Sequence, residues 1–471
     1  MRVFNKDPQI WSIPYKEVME SDVLDCKFFN IQRMEIIEHL NRLKCPIYKL
    51  KDLAKIFIGK TPERYEYADY GIPIIKVINI TNRGLRWDNI SFIPHEVIKK
   101  WGRKKTLKIK PLDILIPSAA HSPEAIGEKA DIVSFIPNNF KQVLCTAEVE
   151  VIRPDIESIN PYYLLAYLRS WHARIQIKSV IRGQTAHLYP FDLAKIIIPI
   201  FSTDIQEKIG NQIKQAEDLR RKSYEKRKNL ELKYTQPYRV KLGDDFIHFT
   251  VKRTEIGERL DVEYYHFPRL IPEILSKGPY SVYLLSDIAT ISRKTINPKR
   301  YPKKVFNYVE ISNIDEAEGD ITHFSQFYGI HAPQRARRLL RAGDIVISSV
   351  RTYRGAIAII PPELDKSIGS TGFIVIKPNT ELINAETLWL MLRSDVCILQ
   401  MSRLLAGGLY PAIVGNEILK IKVPVPPKDA QKKIAIEVSK ILEWNAKSRK
   451  LNMKATQKVE HIIEGKEPSL I

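Results

Sequence analysis

The chain has 471 residues, of which 44% are hydrophobic and 27% charged, and this composition is typical of a folded protein rather than a disordered one. No apolar run of about 18 residues is present and the N-terminus lacks the apolar core of a signal peptide, so we expect a cytoplasmic protein with no membrane contact. Four cysteines without CxxC spacing favour free thiols over a disulfide or zinc site. The net charge of +20 favours a polyanionic partner, because Lys and Arg release counterions from phosphates.

The first half of the chain mixes strand-like runs with helical ones. Helices are predicted over 31–43 and 161–170, and strands over 72–80, 112–118, 147–154 and 194–200. This order favours an α+β fold over regular βαβ winding. A long amphipathic helix is predicted over 203–234. Its apolar residues form a stripe about wide enough to pack against one other helix: Ile205, Ile209, Ile213, Ala216 and Leu219.

The second half repeats these elements. Strands are predicted over 304–314, 343–350, 370–378 and 418–426, a helix over 385–394 and a closing long helix over 427–465. Four residues around the start of each long helix recur 225 positions later: Pro199, Asp204, Gln206, Ile209 and Pro424, Asp429, Gln431, Ile434. Two dipeptides recur as well: Asp113-Ile114 as Asp344-Ile345, and Arg169-Ser170 as Arg393-Ser394. The chain is therefore a tandem duplication, and its function must suit two related modules joined by a helix.

A basic run precedes the Asp-Ile strand in each copy. The first run covers 98–110 and contains Lys104, and the second covers 334–344 and contains Arg338. Such a run is most often only a solvated face. Its recurrence at the same place favours contact with DNA phosphates, which fix the register of a protein on the duplex without reading sequence.

The loops after the Asp-Ile strands differ between the copies. In the second copy this loop carries four candidate DNA contacts: Ser349, Arg351, Tyr353 and Arg354. Each arginine can present its guanidinium fork to guanine, and the tyrosine can stack on a base or bind a phosphate. The first copy has two candidates in the corresponding loop: Ser118 and His121. A similar framework with different loop side chains suits two modules that read different sequences.

A further loop precedes the last strand of each copy, and both loops contain a Leu-Tyr-Pro sequence. The candidates for base or phosphate contact in these loops are Arg182, Gln184, His187, Tyr189 and Tyr410. The alternative is a plain tight turn anchored by the Tyr-Pro pair. Asn79 and Asn313 occupy matching strand ends; asparagine can bind adenine through two hydrogen bonds, but capping a turn is its more common role.

Motifs for catalysis are incomplete. Gly59-Lys60-Thr61 lacks the upstream glycine of a phosphate-binding loop, and Asn160-Pro161-Tyr162-Tyr163 lacks the second proline of an adenine methyltransferase motif and fits a helix start. The acidic set Asp113, Glu148 and Glu150 lacks the lysine of a nuclease site. No His/Cys spacing suits a metal. We therefore expect a non-catalytic chain; the alternative is a stand-alone DNA methyltransferase or nuclease with an unrecognised site.

These motifs, in this order and repeated twice, resemble the specificity subunit of type I restriction–modification enzymes. The resemblance covers essentially the whole chain. It rests on residues 198–209 and 423–434, which hold the strand exits and helix starts, and on the Gly-Asp-Ile sequence at Gly343. The first copy has Leu112 in place of this glycine and Phe201 in place of a second proline, which leaves the local turn geometry open.

The resemblance implies an α+β fold with two target recognition domains separated by two long helices that pack as an antiparallel coiled coil. It implies a bipartite, asymmetric site in double-stranded DNA, with one domain for each half-site. The implied partners are two methyltransferase subunits, which methylate adenine, and restriction subunits with translocase and nuclease activity. S-adenosylmethionine, ATP and Mg are expected on those partners, and no cofactor on this chain.

The duplication and the resemblance together predict the following domain boundaries. Recognition domains are expected over 46–200 and 281–426, and spacer helices over 201–236 and 427–465. The remaining segments are an N-terminal segment, a linker that repeats it and a short tail: 1–45, 237–280 and 466–471.

Overall fold

The computed structural model divides the chain into two units. Unit 1 comprises Met1–Arg221 and Ala446–Ile471, and unit 2 comprises Lys222–Asn445. The structure describes residues 29–88, 90–101, 107–120, 126–182, 186–239, 250, 253–255, 270–406, 411–413 and 416–466. Both units mix helices with short strands, which confirms the expected mixed helix and strand content. Within the described ranges, no helix is long and apolar enough to cross a membrane.

The first part of the chain supplies the elements of unit 1. Its helices are α1 (Ile31–Asn41), α2 (Leu50–Leu53), α3 (His95–Trp101), α4 (Pro161–Arg169), α5 (Trp171–Ser179), α6 (Pro190–Leu193) and α7 (Thr203–Leu230). Its strands are β1 (Ile47–Lys49), β2 (Ala54–Ile58), β3 (Ile72–Ile75), β4 (Ser91–Ile93), β5 (Ile114–Pro117), β6 (Ala119–Ala120), β7 (Asp131–Ile132), β8 (Leu144–Cys145), β9 (Val149–Pro154), β10 (Ala186–His187) and β11 (Ile197–Pro199).

The second part repeats the order of the main elements. Its helices are α8 (Leu270–Lys277), α9 (Leu285–Ile288), α10 (Ala385–Leu392), α11 (Asp395–Arg403) and α12 (Lys428–Ile463). Its strands are β12 (Ser281–Leu284), β13 (Ala289–Ile291), β14 (Val305–Val309), β15 (Ile314–Asp315), β16 (Asp320–Ile321), β17 (Ser325–Tyr328), β18 (Ala336–Leu339), β19 (Ile345–Ser348), β20 (Ile357–Ile359), β21 (Ile368–Ser370), β22 (Phe373–Pro378), β23 (Leu405–Ala406), β24 (Ala412–Ile413) and β25 (Lys422–Val425).

Each unit is built around an antiparallel four-stranded sheet with the same strand order. In unit 1 the order is β2-β9-β5-β7, and in unit 2 it is β13-β22-β19-β20. A second sheet accompanies each: β4-β3-β8 in unit 1 and β17-β14-β21-β18 in unit 2. A short antiparallel pair, β1–β11 or β12–β25, precedes the start of each long helix in the chain. The repeat seen in the sequence is therefore a repeat of topology.

Buried tyrosines attach α4 to the strand that leads into the long helix of unit 1. Tyr163 and Tyr167 have no exposed surface, and their hydroxyls donate to the carbonyl oxygens of Pro199 and Ile197 at 2.5 and 2.7 Å. Buried phenols need such partners, because an unpaired hydroxyl in a core costs free energy. Helix α4 and the strand before α7 are thus held together by specific bonds as well as by apolar packing.

The apolar stripes of the two long helices lie in the cores of the units. Residues 205–216 of α7 and the C-terminal part of α12 contribute to the unit 1 core, through Ile209, Ile213 and Val459 among others. In that unit the Ser448 hydroxyl donates to the Ala216 carbonyl at 2.8 Å. In unit 2, Lys226 of α7 forms an ion pair with Glu437 of α12. The α-helical part of α7 ends at Leu230, and a π-helical turn over 231–235 follows it.

The repeated glutamine at each helix start closes a turn. Gln206 donates from Nε2 to the Phe201 carbonyl at 2.9 Å and accepts at Oε1 from the Asn160 backbone N–H at 3.1 Å. Gln431 donates from Nε2 to the carbonyls of Pro426 and Leu382 at 2.9 and 3.0 Å. Both amides are buried. They satisfy backbone groups that helix ends and loops would otherwise bury unpaired.

The Asp-Ile strand starts share a left-handed turn. Gly343 has φ +83°, and Leu112, which replaces it in unit 1, has φ +70°. The following aspartates cap the turn, since Asp113 accepts from the Lys110 N–H at 2.7 Å and Asp344 from the Arg341 N–H at 3.1 Å. Leu112 therefore keeps the turn that glycine makes easily, at the cost of a conformation that a side chain disfavours.

A buried ion pair connects the module of unit 1 to α12. Arg169, at the end of α4, donates from Nη2 to Asp131 at 2.7 Å and from Nη1 to Asn452 at 2.8 Å. Its Nε donates to the Ala130 carbonyl at 2.8 Å. Asp131, which has no exposed surface, also accepts the Gly84 N–H at 2.8 Å. Each buried ion of this pair therefore has hydrogen-bond partners besides the other.

We expect Gln206→Ala to destabilise the protein by about 1–3 kcal/mol, because the Asn160 N–H and the Phe201 carbonyl lose their buried partner. Gln431→Ala is expected to act in the same way in unit 2. Gln215→Ala, at an exposed position of α7, is the matched control and should change little. Denaturant unfolding of the full-length chain measures all three. If the Gln206→Ala and Gln215→Ala variants were equally stable, the Gln206 hydrogen bonds would not have this stabilising role.

Candidate nucleic-acid interface

The structure joins the two candidate loops of unit 1. Strand β6, directly after Ser118, pairs with β10, where His187 lies opposite Ala119. The Leu188 N–H donates to the Ser118 carbonyl at 2.8 Å, and Arg182 and His187 exchange backbone bonds at 2.9 Å. Two loops that the sequence marked separately therefore form one surface, which we call loop pair 1 (118–120 with 181–182 and 186–192).

Loop pair 1 exposes a row of rings with a cation at its end. His187 stacks near Tyr189 with centroids 6.1 Å apart, and Tyr189 stacks on Phe191 at 5.5 Å with an interplanar angle of 14°. The Arg182 guanidinium lies 5.2 Å from the Phe191 centroid and donates to the buried Asp192 at 2.6 Å. Tyr189 and Phe191 are 41% and 55% exposed. Exposed π faces beside a cation can stack on bases and meet phosphates.

Phe191 was missed by the sequence reasoning. The signal available for it was an aromatic residue two positions after Tyr189, across a proline that starts α6. Residues two positions apart lie on the same face where the backbone is extended. Tyr189 is extended and Pro190 begins α6, and the sequence alone did not reveal this geometry.

A carboxylate borders loop pair 1. The Ser118 N–H donates to the Glu148 carbonyl at 2.8 Å, and the Thr61 hydroxyl donates to Glu148 Oε2 at 2.8 Å. Partial burial alone would raise the pKa of the Glu148 carboxyl. Hydrogen bonds from Thr61 and Thr146, together with the charge of His187, lower it by more, so this pKa lies below its usual value. Glu148 therefore stays ionised at neutral pH.

Unit 2 joins its candidate loops in the same way. The Ile413 N–H donates to the Ser349 carbonyl at 2.9 Å, the Arg351 N–H donates to the Pro411 carbonyl at 3.1 Å, and Val350 bridges Ala412. We call this surface loop pair 2 (348–355 with 404–406 and 411–413). The same pairing in both units means that the framework, rather than the loop chemistry, brings the loops together.

Loop pair 2 presents different side chains. Arg351 has φ +50°, a left-handed conformation that costs a non-glycine residue energy and directs the chain into the short 3-10 turn Thr352–Arg354. Thr352 is buried and its hydroxyl donates to the Ser348 carbonyl at 2.9 Å, which fixes the turn. Tyr353 is 49% exposed, and Arg354 approaches Glu316 only at 3.9 Å. The turn thus carries Tyr353 and Arg354 at the surface.

A cleft of about 420 Å³ lies beside loop pair 2. Its lining includes apolar residues and five polar ones: Arg293, Arg338, Ser349, Thr371 and Asn416. Arg293 donates to Asn416 Oδ1 at 3.3 Å, and the Ser349 hydroxyl donates to the Gly372 carbonyl at 2.8 Å. Two arginines without an acidic neighbour in the lining suit an anion. The structure therefore brings the predicted Arg338 and Ser349 together and adds Arg293, for which the sequence offered no repeated basic run.

Three of the residues predicted to contact DNA are buried. Asn79 and Asn313 are 1% and 4% exposed, and their Oδ1 atoms accept the N–H groups of Lys76 and Glu310, each at 2.8 Å. They cap 3-10 turns, Val77–Asn79 and Ile311–Asn313, which replace the second halves of the strands predicted over 72–80 and 304–314. Ser118 is 4% exposed and donates to the Ala147 carbonyl. These side chains are bonded within the fold, and their contact with DNA stays a prediction.

The remaining candidates lie outside the described residues. They are Lys104, His121, Gln184 and Tyr410.

The acidic residues of the rejected nuclease set serve other purposes. Asp113 receives two hydrogen bonds from Arg153, at 2.7 and 2.8 Å. In the described part of the chain, no group of three or more His, Cys, Asp or Glu side chains is arranged to hold a metal ion. Glu150, in β9, is fully buried, and neither carboxylate oxygen has a hydrogen-bond partner among the described residues. Burial raises the pKa of Glu150 to about 8.

Comparison with known proteins gives consistent matches. The family described as type I restriction modification DNA specificity domain matches residues 44–234 and 278–456. The HindI specificity subunit of Haemophilus influenzae is 27% identical over 156 residues, which are 32% of this chain and 33% of that relative. The putative MjaX specificity subunit of Methanocaldococcus jannaschii is 24% identical over 88% of this chain and 92% of its own length.

Two solved structures are also similar. A structure of an HsdS subunit from Thermoanaerobacter tengcongensis is 32% identical, with a TM-score of 0.31, over 39% of this chain and 48% of that one. A type I restriction–modification S subunit from M. genitalium is 15% identical, with a TM-score of 0.40, over 90% of this chain and 96% of that one. The matched part is thus about a third of the HindI relative and about half of the first structure.

The Glu150→Gln variant is expected to gain stability over the natural protein as pH rises. The folded protein keeps the Glu150 proton up to a pKa of about 8, whereas the unfolded chain releases it near its usual value of 4.5. The natural protein therefore loses stability between these values, by up to about 1.4 kcal/mol per pH unit, and glutamine cannot ionise. Denaturant midpoints across this range measure the difference. The control variant Glu157→Gln, at an exposed position, should show no such trend. A stability difference between Glu150→Gln and the natural protein that does not change with pH would refute the prediction.

Proposed function

The chain belongs to the family of type I restriction–modification DNA specificity proteins, and from this premise we propose that it selects the DNA sequence on which a type I restriction–modification complex acts. The single observation that carries the proposal is the repeated loop pair. Both units join two loops beside the central sheet, yet loop pair 1 presents stacked rings and loop pair 2 presents arginines. One framework with two surface chemistries supports a bipartite, asymmetric site with one domain for each half-site.

We assign the domain boundaries accordingly. Recognition domains occupy 46–200 and 281–426, with spacer helices over 201–236 and 427–465; the family matches over 44–234 and 278–456 support this division. The apolar stripes of α7 and α12 support an antiparallel coiled coil, since their buried residues recur at helical spacing. The segments 1–45 and 237–280 are the repeated entry segments, and 466–471 is a tail.

The proposed partners carry the chemistry. Two methyltransferase subunits bind S-adenosylmethionine and methylate adenine in double-stranded DNA, and restriction subunits use ATP and Mg to translocate and cleave. This chain contributes recognition and binds none of these cofactors. Relatives that are called specificity subunits of type I restriction enzymes support the assignment. A cytoplasmic location follows from such a complex.

The first test separates recognition from catalysis. We expect the purified full-length chain to transfer no methyl group from S-adenosylmethionine to DNA, and the chain assembled with methyltransferase subunits to methylate one split motif. Single-molecule sequencing of the treated DNA reads the motif. Methyl transfer by the isolated chain would favour the alternative, a stand-alone methyltransferase. DNA cleavage by the isolated chain would favour a nuclease.

The second test separates base reading from phosphate contact in unit 2. We expect Arg354→Ala to relax recognition in one half-site only, by about 1–3 kcal/mol if its fork binds guanine. Arg338→Ala, in the cleft, should weaken binding to all sequences alike. It should also reduce the slope of the logarithm of the binding constant against the logarithm of salt concentration by about one. Binding of the assembled complex to a set of half-site variants at several salt concentrations measures both. A uniform loss from Arg354→Ala would make it a phosphate contact instead.

A further inference from the structure

We propose that Glu148 determines the base accepted by the recognition domain of unit 1, by accepting a hydrogen bond from the exocyclic amino group of cytosine in the major groove. This inference rests on the proposed DNA-recognition function. It gives a role to Glu148, which the sequence analysis considered only as part of an incomplete nuclease motif.

Glu148 lies next to loop pair 1. Glu148 directly precedes β9, and its carbonyl accepts the N–H of Ser118, whose own carbonyl accepts the N–H of Leu188 in the other loop. Glu148 therefore borders loop pair 1 through consecutive backbone hydrogen bonds. Its side chain is only partly buried, and its charge interacts with His187 of that loop pair.

Hydrogen bonds orient the Glu148 carboxylate. The Thr61 hydroxyl donates to Glu148 Oε2 at 2.8 Å, and the Thr61 oxygen in turn accepts the Ala147 N–H at 3.0 Å. These bonds fix the hydroxyl proton toward the carboxylate and hold the carboxylate in place. A carboxylate has about four acceptor sites, so it keeps acceptor capacity for a ligand. Within the described residues, no lysine or arginine forms an ion pair with it.

The fold does not need the Glu148 side chain. In unit 2 the corresponding position is Gly372, and the Ser349 N–H donates to its carbonyl at 2.9 Å, just as Ser118 donates to Glu148. The same strand pairing therefore closes with no side chain at all. A negative charge on a surface that meets DNA is unfavourable unless it gains a specific donor.

The chemistry of the bases selects the donor. An ionised carboxylate only accepts hydrogen bonds. In the major groove guanine presents two acceptors and thymine one, so both repel it; adenine presents an amino group beside the N7 acceptor, and cytosine presents its amino group alone. Cytosine is therefore the base that a fixed carboxylate accepts best.

The test replaces the acceptor with a group that both donates and accepts. Glu148→Gln can bind adenine through N6 and N7, so we expect the preference for cytosine at one position of one half-site to fall by about tenfold and adenine to be accepted there. Glu148→Gly, which copies unit 2, should fold and lose discrimination at the same position. The full-length chain assembled with methyltransferase subunits is exposed to a randomised duplex library, and the modified sites are sequenced.

Glu157→Gln is the matched control, because it removes an exposed carboxylate from the turn after the other end of β9 and should leave the motif unchanged. An unchanged motif in both Glu148 variants overturns the inference, as does a uniform change in binding across all sequences. Failure of the proposed function is distinct: the natural chain would then show no sequence preference in the same library. If the natural complex is sequence-specific and both Glu148 variants keep its motif, only the proposed role of Glu148 is rejected.

Discussion

Burying the carboxylate of Asp131 would cost several kcal/mol if its charge had no partner, and this constraint fixes how unit 1 is assembled. The partner is Arg169, which ends α4, and it is itself shared with Asn452 of α12. The Gly84 N–H adds a donor from the loop after β3. Moving the loop, the sheet or the helix breaks at least one of these bonds. A buried pair of this kind adds little net stability, but it penalises every alternative arrangement.

In unit 2 the arginine at the matching position binds carbonyl oxygens of the backbone. Arg393, at the matching helix end, donates to the carbonyl oxygens of Glu316, Ala317 and Gly355 at distances of 2.6 to 3.1 Å. Arg393 therefore joins the turn between β15 and β16, and the segment between β19 and β20, to the end of α10. The repeated Arg-Ser dipeptide thus has a structural role in both units, although the groups that the guanidinium binds differ.

The sequence predicted those parts of the fold that depend on local pattern. The main helices, the buried strands and the duplication followed from periodicity and from repeated residues, because these signals lie within short stretches. The turn at Leu112 could not be decided, since left-handed backbone at leucine is unfavourable and depends on the surrounding bonds. The capping alternatives for Asn79 and Asn313 depended on burial, which a single sequence does not reveal.

The candidate interface was predictable only in pieces. The sequence marked Ser349 and Arg338 separately, but their meeting in one cleft depends on the packing of two sheets. It marked the loops at Ser118 and His187 separately, but their pairing is a contact between residues far apart in the chain. Such contacts follow from topology, which the order of elements constrains without specifying register. Phe191 became visible only when the stacked row was seen.

The two units together suggest where specificity can change without loss of the fold. The backbone bonds that join the loops involve N–H and carbonyl groups, so they persist whichever side chains the loops carry. Glu148 in unit 1 corresponds to Gly372 in unit 2, and Glu150 corresponds to Ile374. The backbone pairs in the same way at these matching positions. A framework held by backbone bonds and buried arginines tolerates such exchanges. Recognition can therefore diverge between the copies while the topology that presents it stays the same.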